Sequence, residues 1–459
     1  MSAAGAGYQS AAGLLRAFRE GQLTPGDVVA ELLGRIYAHD PALGSVVALD
    51  ADRASSAAAR SAARWRQGTD RPLEGVPVLV KDLIDTAGLA TTYGSRRFRD
   101  HHPARDAVAV RRLREAGAVV LGKTATHEFA WGVTTESTAH GVTRNPWDPE
   151  RVPGGSSGGS AAALAAGFAP LALGTDTAGS VRIPAALCGV CGLKPTYGSV
   201  PGEGVFPLAR SLDHVGPMAR TVADLRLLDR VLRPGAGPPA DERRRLRVGI
   251  LEPFAGLPLP PGAQQALQEA ALRLEAAGHE LVPVAEPGLE QAPEALGVII
   301  AREGLAVHRA IGLYPEARAD YLPGVRYRLD LAAARTELQE REARESQRTL
   351  TSTVTALFRR VDAVLSTAVA AAPARIGHDS DPASDATADF RRRMMAYPAW
   401  ASLSGAPACA APAGLDADGL PVGLQVCAPW GHEDRALQLA EYAAVELPPP
   451  LTTPGTAVR

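Results

Sequence analysis

Two short segments rich in glycine and serine, Gly154-Gly155-Ser156-Ser157-Gly158-Gly159-Ser160 and Gly174-Thr175-Asp176-Thr177-Ala178-Gly179-Ser180, constrain this chain more than any other feature. Glycine tolerates positive φ and lets the backbone come close to a ligand or to another strand of chain. Between the two segments, the alanine-rich stretch 161–167 predicts a helix and the apolar run 171–173 predicts a short buried strand. A flexible linker has the same composition but would not be embedded between packed elements. A phosphate-binding loop of the form G-x-x-x-x-G-K-[ST] needs a lysine that is missing here. The segments therefore read as two tight turns that bring several serines to one site.

Upstream, short apolar runs alternate with helical patterns: a strand over 76–80, a helix over 107–115 and a strand over 118–121. That alternation predicts an α/β fold around a central mixed, twisted β-sheet flanked by helices. Lys81 ends the first of these strands. Residues 1–70 read as helical, with Thr24 as N-cap, Pro25 at the first helical position and Asp27 in the first turn. Val28, Val29, Leu32, Leu33 and Ile36 then give that helix an apolar face. A Pro/Gly-rich break covers 234–239, a strand restarts over 246–251, and helical patterns follow over 264–277 and 332–360. Residues 370–388 read as a loop, and 406–413 and 422–427 as returning strands. The expectation is one large domain over 1–459. It has a core over 73–230, an insertion over 235–390 packed on that core, and C-terminal strands and a helix over 400–459.

The charges nearly cancel, 48 basic residues against 50 acidic, with no long single-sign block. Neither nucleic acid nor an anionic membrane is suggested as partner. A small-molecule substrate and a monomer or homodimer are expected. Residues 1–21 lack the apolar core of a signal peptide, and no stretch approaches the roughly 18 uninterrupted apolar residues of a membrane span, so a cytoplasmic location is expected. Cys188 and Cys191 form C-x-x-C, but no second pair stands at metal-ligand spacing, and buried thiols are the expected reading for them and for Cys409 and Cys427.

Longer stretches carry a resemblance. They run from Leu73-Glu74-Gly75-Val76-Pro77-Val78-Leu79-Val80-Lys81-Asp82 through Gly122-Lys123-Thr124 and the two serine segments to Cys188-Gly189-Val190-Cys191-Gly192-Leu193-Lys194-Pro195-Thr196. They resume at Ser211-Leu212-Asp213-His214-Val215-Gly216-Pro217 and again from Pro412 to Gln425. In these stretches the chain resembles the amidase signature family of Ser-Ser-Lys amide hydrolases. Amide hydrolysis needs a nucleophile, a base and donors for the developing oxyanion. None of the ten histidines lies in the two serine segments, and a Ser-Lys arrangement is a known substitute for the usual histidine.

The resemblance implies Ser180 as nucleophile, Lys81 as base, and Ser156, behind a cis peptide bond, as the serine between them. It also implies an oxyanion hole from the N–H groups of Thr177, Ala178, Gly179 and Ser180, with Ser157, Asp176 and Arg182 in support. Asp82 is expected to turn away from Lys81. Neither metal nor cofactor is implied. Phe129, Trp131 and Gly155 are the candidates for contact with substrate, with His140, Arg210 and the 370–388 loop at the entrance. Two activities fit. One is a free-standing hydrolase of small amides, anilides, esters or carbamates; the other is the glutamine-hydrolysing A subunit of a tRNA-dependent amidotransferase. The complete Lys81, Ser156 and Ser180 set speaks against an inactive binding module.

Overall fold

The structure, a computed structural model, describes residues 6–136, 138–236 and 244–450. It is a single α/β domain built on one mixed sheet of 11 strands. The strands are β1 (Val46–Leu49), β2 (Pro77–Lys81), β3 (Val119–Thr124), β4 (Leu171–Asp176), β5 (Cys191–Lys194) and β6 (His214–Ala219), followed by β7 (Arg247–Leu251), β8 (Glu280–Val284), β9 (Ala363–Thr367), β10 (Ala408–Leu415) and β11 (Pro421–Cys427). Their order across the sheet is β1-β3-β2-β4-β6-β5-β10-β11-β9-β7-β8. β2 lies between β3 and β4 and is parallel to both; β4 then pairs antiparallel with β6.

The central strands read as unbroken apolar runs because helices cover both their faces. Side chains alternate between those faces along each strand. Val78, Val80, Leu171 and Leu173 enter one core with the helices Val108–Glu115, Val222–Leu232 and Glu433–Ala443. Leu79, Val119, Leu121 and Ala172 enter the opposite core with the helices Ala11–Arg19, Pro25–His39 and Ala51–Gln67. Gly158–Ala165 and Arg182–Cys188, the helices that follow the two serine segments, lie in that second core and are buried throughout.

Four expectations change. The region 1–70 is not wholly helical: Val46–Leu49 forms the edge strand β1, which pairs antiparallel with β3. A four-residue strand is too short to show a period of its own. The helical pattern over 332–360 is two helices, Pro323–Ala333 and Glu337–Leu357, because Thr336 and Gln339 form a capping box that starts the second. The segment 235–390 does not simply lie over the core, since it supplies β7, β8 and β9 and so extends the sheet. The supposed loop 370–388 also contains the short turn His378–Ser380 and the start of the helix Asp385–Met395. Residues 237–239 of the Pro/Gly-rich break lie outside the described residues. Among the described residues no helix is long and apolar enough to cross a membrane.

Candidate active site

Lys81 closes β2 and is fully buried. Its Nζ lies 2.7 Å from Ser156 Oγ, 3.0 Å from Ser157 Oγ and 2.7 Å from Thr175 Oγ1. Burial drives its pKa well below the ordinary lysine value, with the charges of Asp176 and Asp213 pulling the other way. Asp82 does face elsewhere: its carboxylate accepts from the Thr92 N–H at 3.0 Å and from the Thr92 hydroxyl.

The count of hydrogens at Nζ is informative. A neutral amine has two N–H donors and one lone pair, so three hydroxyl neighbours require that at least one of them donate to nitrogen. Ser157 Oγ lies 3.2 Å from the Thr175 carbonyl and directs its hydrogen there. Ser156 and Thr175 are left as the hydroxyls that can point a proton at the lysine.

The first serine segment is held by backbone packing. The Gly155–Ser156 peptide is cis, as expected. The Ser156 carbonyl accepts from the His127 N–H at 3.2 Å and from Thr135 Oγ1 at 3.4 Å. Gly155, expected to meet substrate, faces the chain instead: a Cβ there would stand 2.7 Å from Thr134 N and 2.8 Å from the Val133 carbonyl carbon. At Gly159 a Cβ would stand 2.4 Å from Ala125 N. These glycines are needed for close approach of main chain to main chain. The Ser157 N–H donates to the Ser180 carbonyl at 3.1 Å and ties the two segments together.

The second segment turns out of β4 around one carboxylate. Asp176 accepts the Gly179 N–H at 2.8 Å, the Val181 N–H at 3.2 Å, and both Arg182 Nε and Nη2, at 3.0 and 2.9 Å. Burial alone would raise the Asp176 pKa, but the Arg182 guanidinium on both its oxygens holds it well below the usual carboxylate range. Arg182, also fully buried, gives its other N–H groups to Pro398 O, Gln425 Oε1 and Ser402 Oγ at 3.0, 2.6 and 2.7 Å. All five guanidinium donors are thereby used, and the turn is anchored to β11 and to the helix Ala399–Ser404.

This bracing corrects one expectation. The Gly179 N–H is engaged by Asp176, so it does not point at a substrate oxygen. The N–H groups of Thr177, Ala178 and Ser180 have no hydrogen bond to other described residues. Gly179 contributes conformation instead, with φ of 114° and no room for a Cβ, which would lie 2.7 Å from Pro398 Cβ and 2.9 Å from Ile183 Cδ1. Ala178 is not at positive φ, so its methyl group is tolerated. Ser180 is 6% exposed, whereas Ser156 and Lys81 are wholly buried, so Ser180 alone of the three keeps some solvent-accessible surface.

Thr175 and Asp213 escaped the sequence reading. Asp213 accepts from Thr177 Oγ1 at 2.7 Å and from the N–H groups of Leu208 and Ala209, and burial pushes its carboxyl up to about 6. The only signal for it was its place in the Ser211–Pro217 stretch. His214 is buried, with Nδ1 2.7 Å from the Leu212 carbonyl and Nε2 3.2 Å from Lys194 Nζ. Burial pushes the Lys194 ammonium down to about 7.

Phe129 and Trp131 are 1% and 7% exposed and share a buried apolar cluster with Ala178. Phe129 packs against Phe206 and His308, with ring centroids 4.9 and 4.7 Å away, and Trp131 stacks on His308. They are packed as core aromatics rather than as an open wall. His140 Nε2 bonds Thr92 Oγ1 at 2.9 Å, and Arg210 is exposed. All four cysteines are free and buried; Cys188 Sγ donates to Pro153 O and Cys191 Sγ to Arg220 O. No group of side chains suited to a metal ion occurs among the described residues.

A sequence model of the amidase family matches residues 27–437, most of the chain. The chain belongs to the amidase signature family. It is 40% identical over 461 residues to the A subunit of glutamyl-tRNA(Gln) amidotransferase from Thermus thermophilus, covering 92% of this chain and 93% of that one. Among solved structures it superimposes on 6-aminohexanoate cyclic dimer hydrolase complexed with substrate, with a TM-score of 0.86 and 29% identity over 97% of this chain and 99% of that one. The A subunit of glutamyl-tRNA(Gln) amidotransferase from Thermotoga maritima gives a TM-score of 0.75 and 29% identity over 94% and 98%. The amidase signature fold thus accounts for the whole sheet, including the strands of the 235–390 segment.

Proposed function

We propose that this chain hydrolyses carboxamides through an acyl-enzyme on Ser180. The observation that carries the reading is the buried Lys81 amine among three hydroxyls. Ser180 Oγ attacks the substrate carbonyl and passes its proton through Ser156 to Lys81, whose lowered pKa leaves it neutral and able to accept. The oxyanion is received by the unengaged N–H groups of Thr177, Ala178 and Ser180. The proton then returns along the same path to the leaving nitrogen. Water enters, loses its proton by the same route, and releases the acid. The Asp176–Arg182 pair supports this by fixing the turn, and Ser157 by holding Lys81.

Two readings differ in the amide that is cleaved. The curated relatives favour glutamine: they are named as A subunits of an amidotransferase, and this chain covers nearly their full length. On that reading it works with partner subunits and a glutamyl-tRNA, contrary to the expectation of a small-molecule substrate alone. The free-standing hydrolase is supported by the higher TM-score to 6-aminohexanoate cyclic dimer hydrolase. It is also supported by the charges at the turn, since Asp176, Arg182 and Asp213 are all committed to bracing it. A panel of glutamine, simple amides, anilides, aryl esters and carbamates, presented to the isolated chain, separates the two. Turnover of neutral amides without added subunits or tRNA supports the free-standing enzyme. Glutaminase activity that appears only with both makes it one component of an amidotransferase.

A further inference from the structure

A cavity of about 290 Å³ lies between the helix Ala51–Gln67 and the start of β3. Its lining includes Arg53, Arg60, Arg64, Arg71 and Arg114, with Asp50 as the one carboxylate among the lining residues. Arg53, Arg60 and Arg64 are spaced by seven and four residues, which places them on one face of their helix.

The arginines are not equally committed. Arg71 lies on Glu74, and Arg114 on Asp106. Arg53 lies 3.4 Å from Asp50 and donates to Ala87 O at 3.1 Å. The side chains of Arg60 and Arg64 make no hydrogen bond or ion pair with other described residues, although the Arg64 charge acts on Glu74, which Arg71 already holds. Even with Glu74 and Asp106 counted beside Asp50, two of the five positive charges are uncompensated. A guanidinium fork matches two oxygens of a phosphate or a carboxylate at once. Several forks around one small cavity select a ligand with several oxygens and more than one negative charge.

The cavity is separate from the serine site. β2 and β3 run parallel, with Pro77 beside Val119 and Lys81 beside Thr124. Ala118 therefore lies just beyond the opposite end of the pair from Lys81, about 16 Å away along the strands at about 3.3 Å per residue.

We propose that this cavity binds a small oxyanion with two or more negative charges, of the pyrophosphate or di- and tricarboxylate kind. Two features select this size. The cavity lies at the small end of the range for ligand pockets, roughly 300–1,000 Å³, and Arg60 and Arg64, both exposed, line it with side chains that no other described residue engages.

The test is calorimetric titration of the whole protein with pyrophosphate, citrate, inorganic phosphate and chloride at matched ionic strength. It compares wild type, Arg60→Ala/Arg64→Ala, and a control that removes two exposed arginines elsewhere, Arg341→Ala/Arg348→Ala. Pyrophosphate or citrate should bind wild type and the control alike, and at least tenfold more weakly to Arg60→Ala/Arg64→Ala. A preference for pyrophosphate identifies a phosphoanion, and a preference for citrate a carboxylate. Equal response to all anions including chloride, or binding that both double variants weaken alike, overturns the proposal. So does the absence of binding by any of the probes. Arg60 and Arg64 are exposed, so the double variant should fold; an unchanged unfolding midpoint in chloride buffer checks that.

Discussion

On the proposed mechanism Ser180, Ser156 and Lys81 share one task, and single substitutions test it. Ser180→Ala removes one oxygen and adds no charge, so kcat/KM should fall by about a million-fold while the unfolding midpoint stays put. A fluorophosphonate should label Ser180, read by peptide mass spectrometry; an adduct on Ser156 or Ser157 would exchange the roles. For Lys81 the sign follows from its lowered pKa. Below that pKa it is an ammonium ion and cannot accept a proton, so kcat/KM should rise with pH through it and level off above. Lys81→Arg keeps the charge at every accessible pH and should be nearly inactive. A rising limb that survives in Lys81→Ala would transfer the base to another group. Arg182→Met leaves Asp176 buried without its counter-charge and should cost about 3–5 kcal/mol in urea unfolding. A cost well under 1 kcal/mol would show that the rest of the turn holds Asp176 unaided.

At the scale of elements, two of the candidate groups sit where a strand gives way to a turn, while Ser156 lies in the loop that opens the helix Gly158–Ala165. Lys81 ends β2, Asp176 ends β4, and the helices beginning at Gly158 and Arg182 carry the chain away from the site. The turn after β4 depends on glycine at one point. Gly179→Ala would put a side chain at φ of 114° and within 2.7 Å of Pro398 Cβ. Backbone strain of this kind costs about 1–3 kcal/mol, and the contact adds to it. The variant should therefore lose both stability and activity, measured by urea unfolding and by ester turnover. Full activity in Gly179→Ala would mean that the turn can take another shape. β2, β4 and the helix Pro25–His39 were legible because each carries an unbroken apolar run or a cap with its own side-chain hydrogen bond. β1, β5 and β9 were not, since these short runs are not set off by a turn or cap of their own and acquire meaning only from the strands they pair with.

For the whole molecule, the sheet buries three lysines, Lys81, Lys123 and Lys194, and burial lowers the pKa of each, to about 8 for Lys123 and about 7 for Lys194. Between such a folded value and the unfolded value near 10.4 the unfolded chain binds more protons, so stability rises with pH. The four buried thiols act oppositely above about pH 8.5, where unfolded cysteine ionises; burial holds them protonated in the fold, Cys427 up to about 12. Stability should therefore climb from pH 7 to about 8.5 and then flatten. Lys194→Met should remove up to about 1.4 kcal/mol of that climb per pH unit, seen by comparing urea unfolding of variant and wild type at pH 7, 8 and 9. Parallel pH profiles for the two would mean that Lys194 stays charged in the fold.

The order of residues alone determined the α/β class and the two glycine-serine turns, because apolar runs, helix caps and glycine clusters act over a few neighbouring residues; Lys81, Ser156 and Ser180 were singled out by the resemblance to the amidase signature family. The tertiary structure decided what distance along the chain conceals. It placed Thr175 against Lys81, Asp213 against Thr177, and Gln425 and Ser402 on Arg182. It also engaged the Gly179 N–H with Asp176, turned Gly155 toward the backbone, and packed Phe129 and Trp131 into the core. A hydrogen bond between residues 220 or 243 positions apart leaves no local pattern. It exists because eleven strands from the whole length of the chain share one sheet.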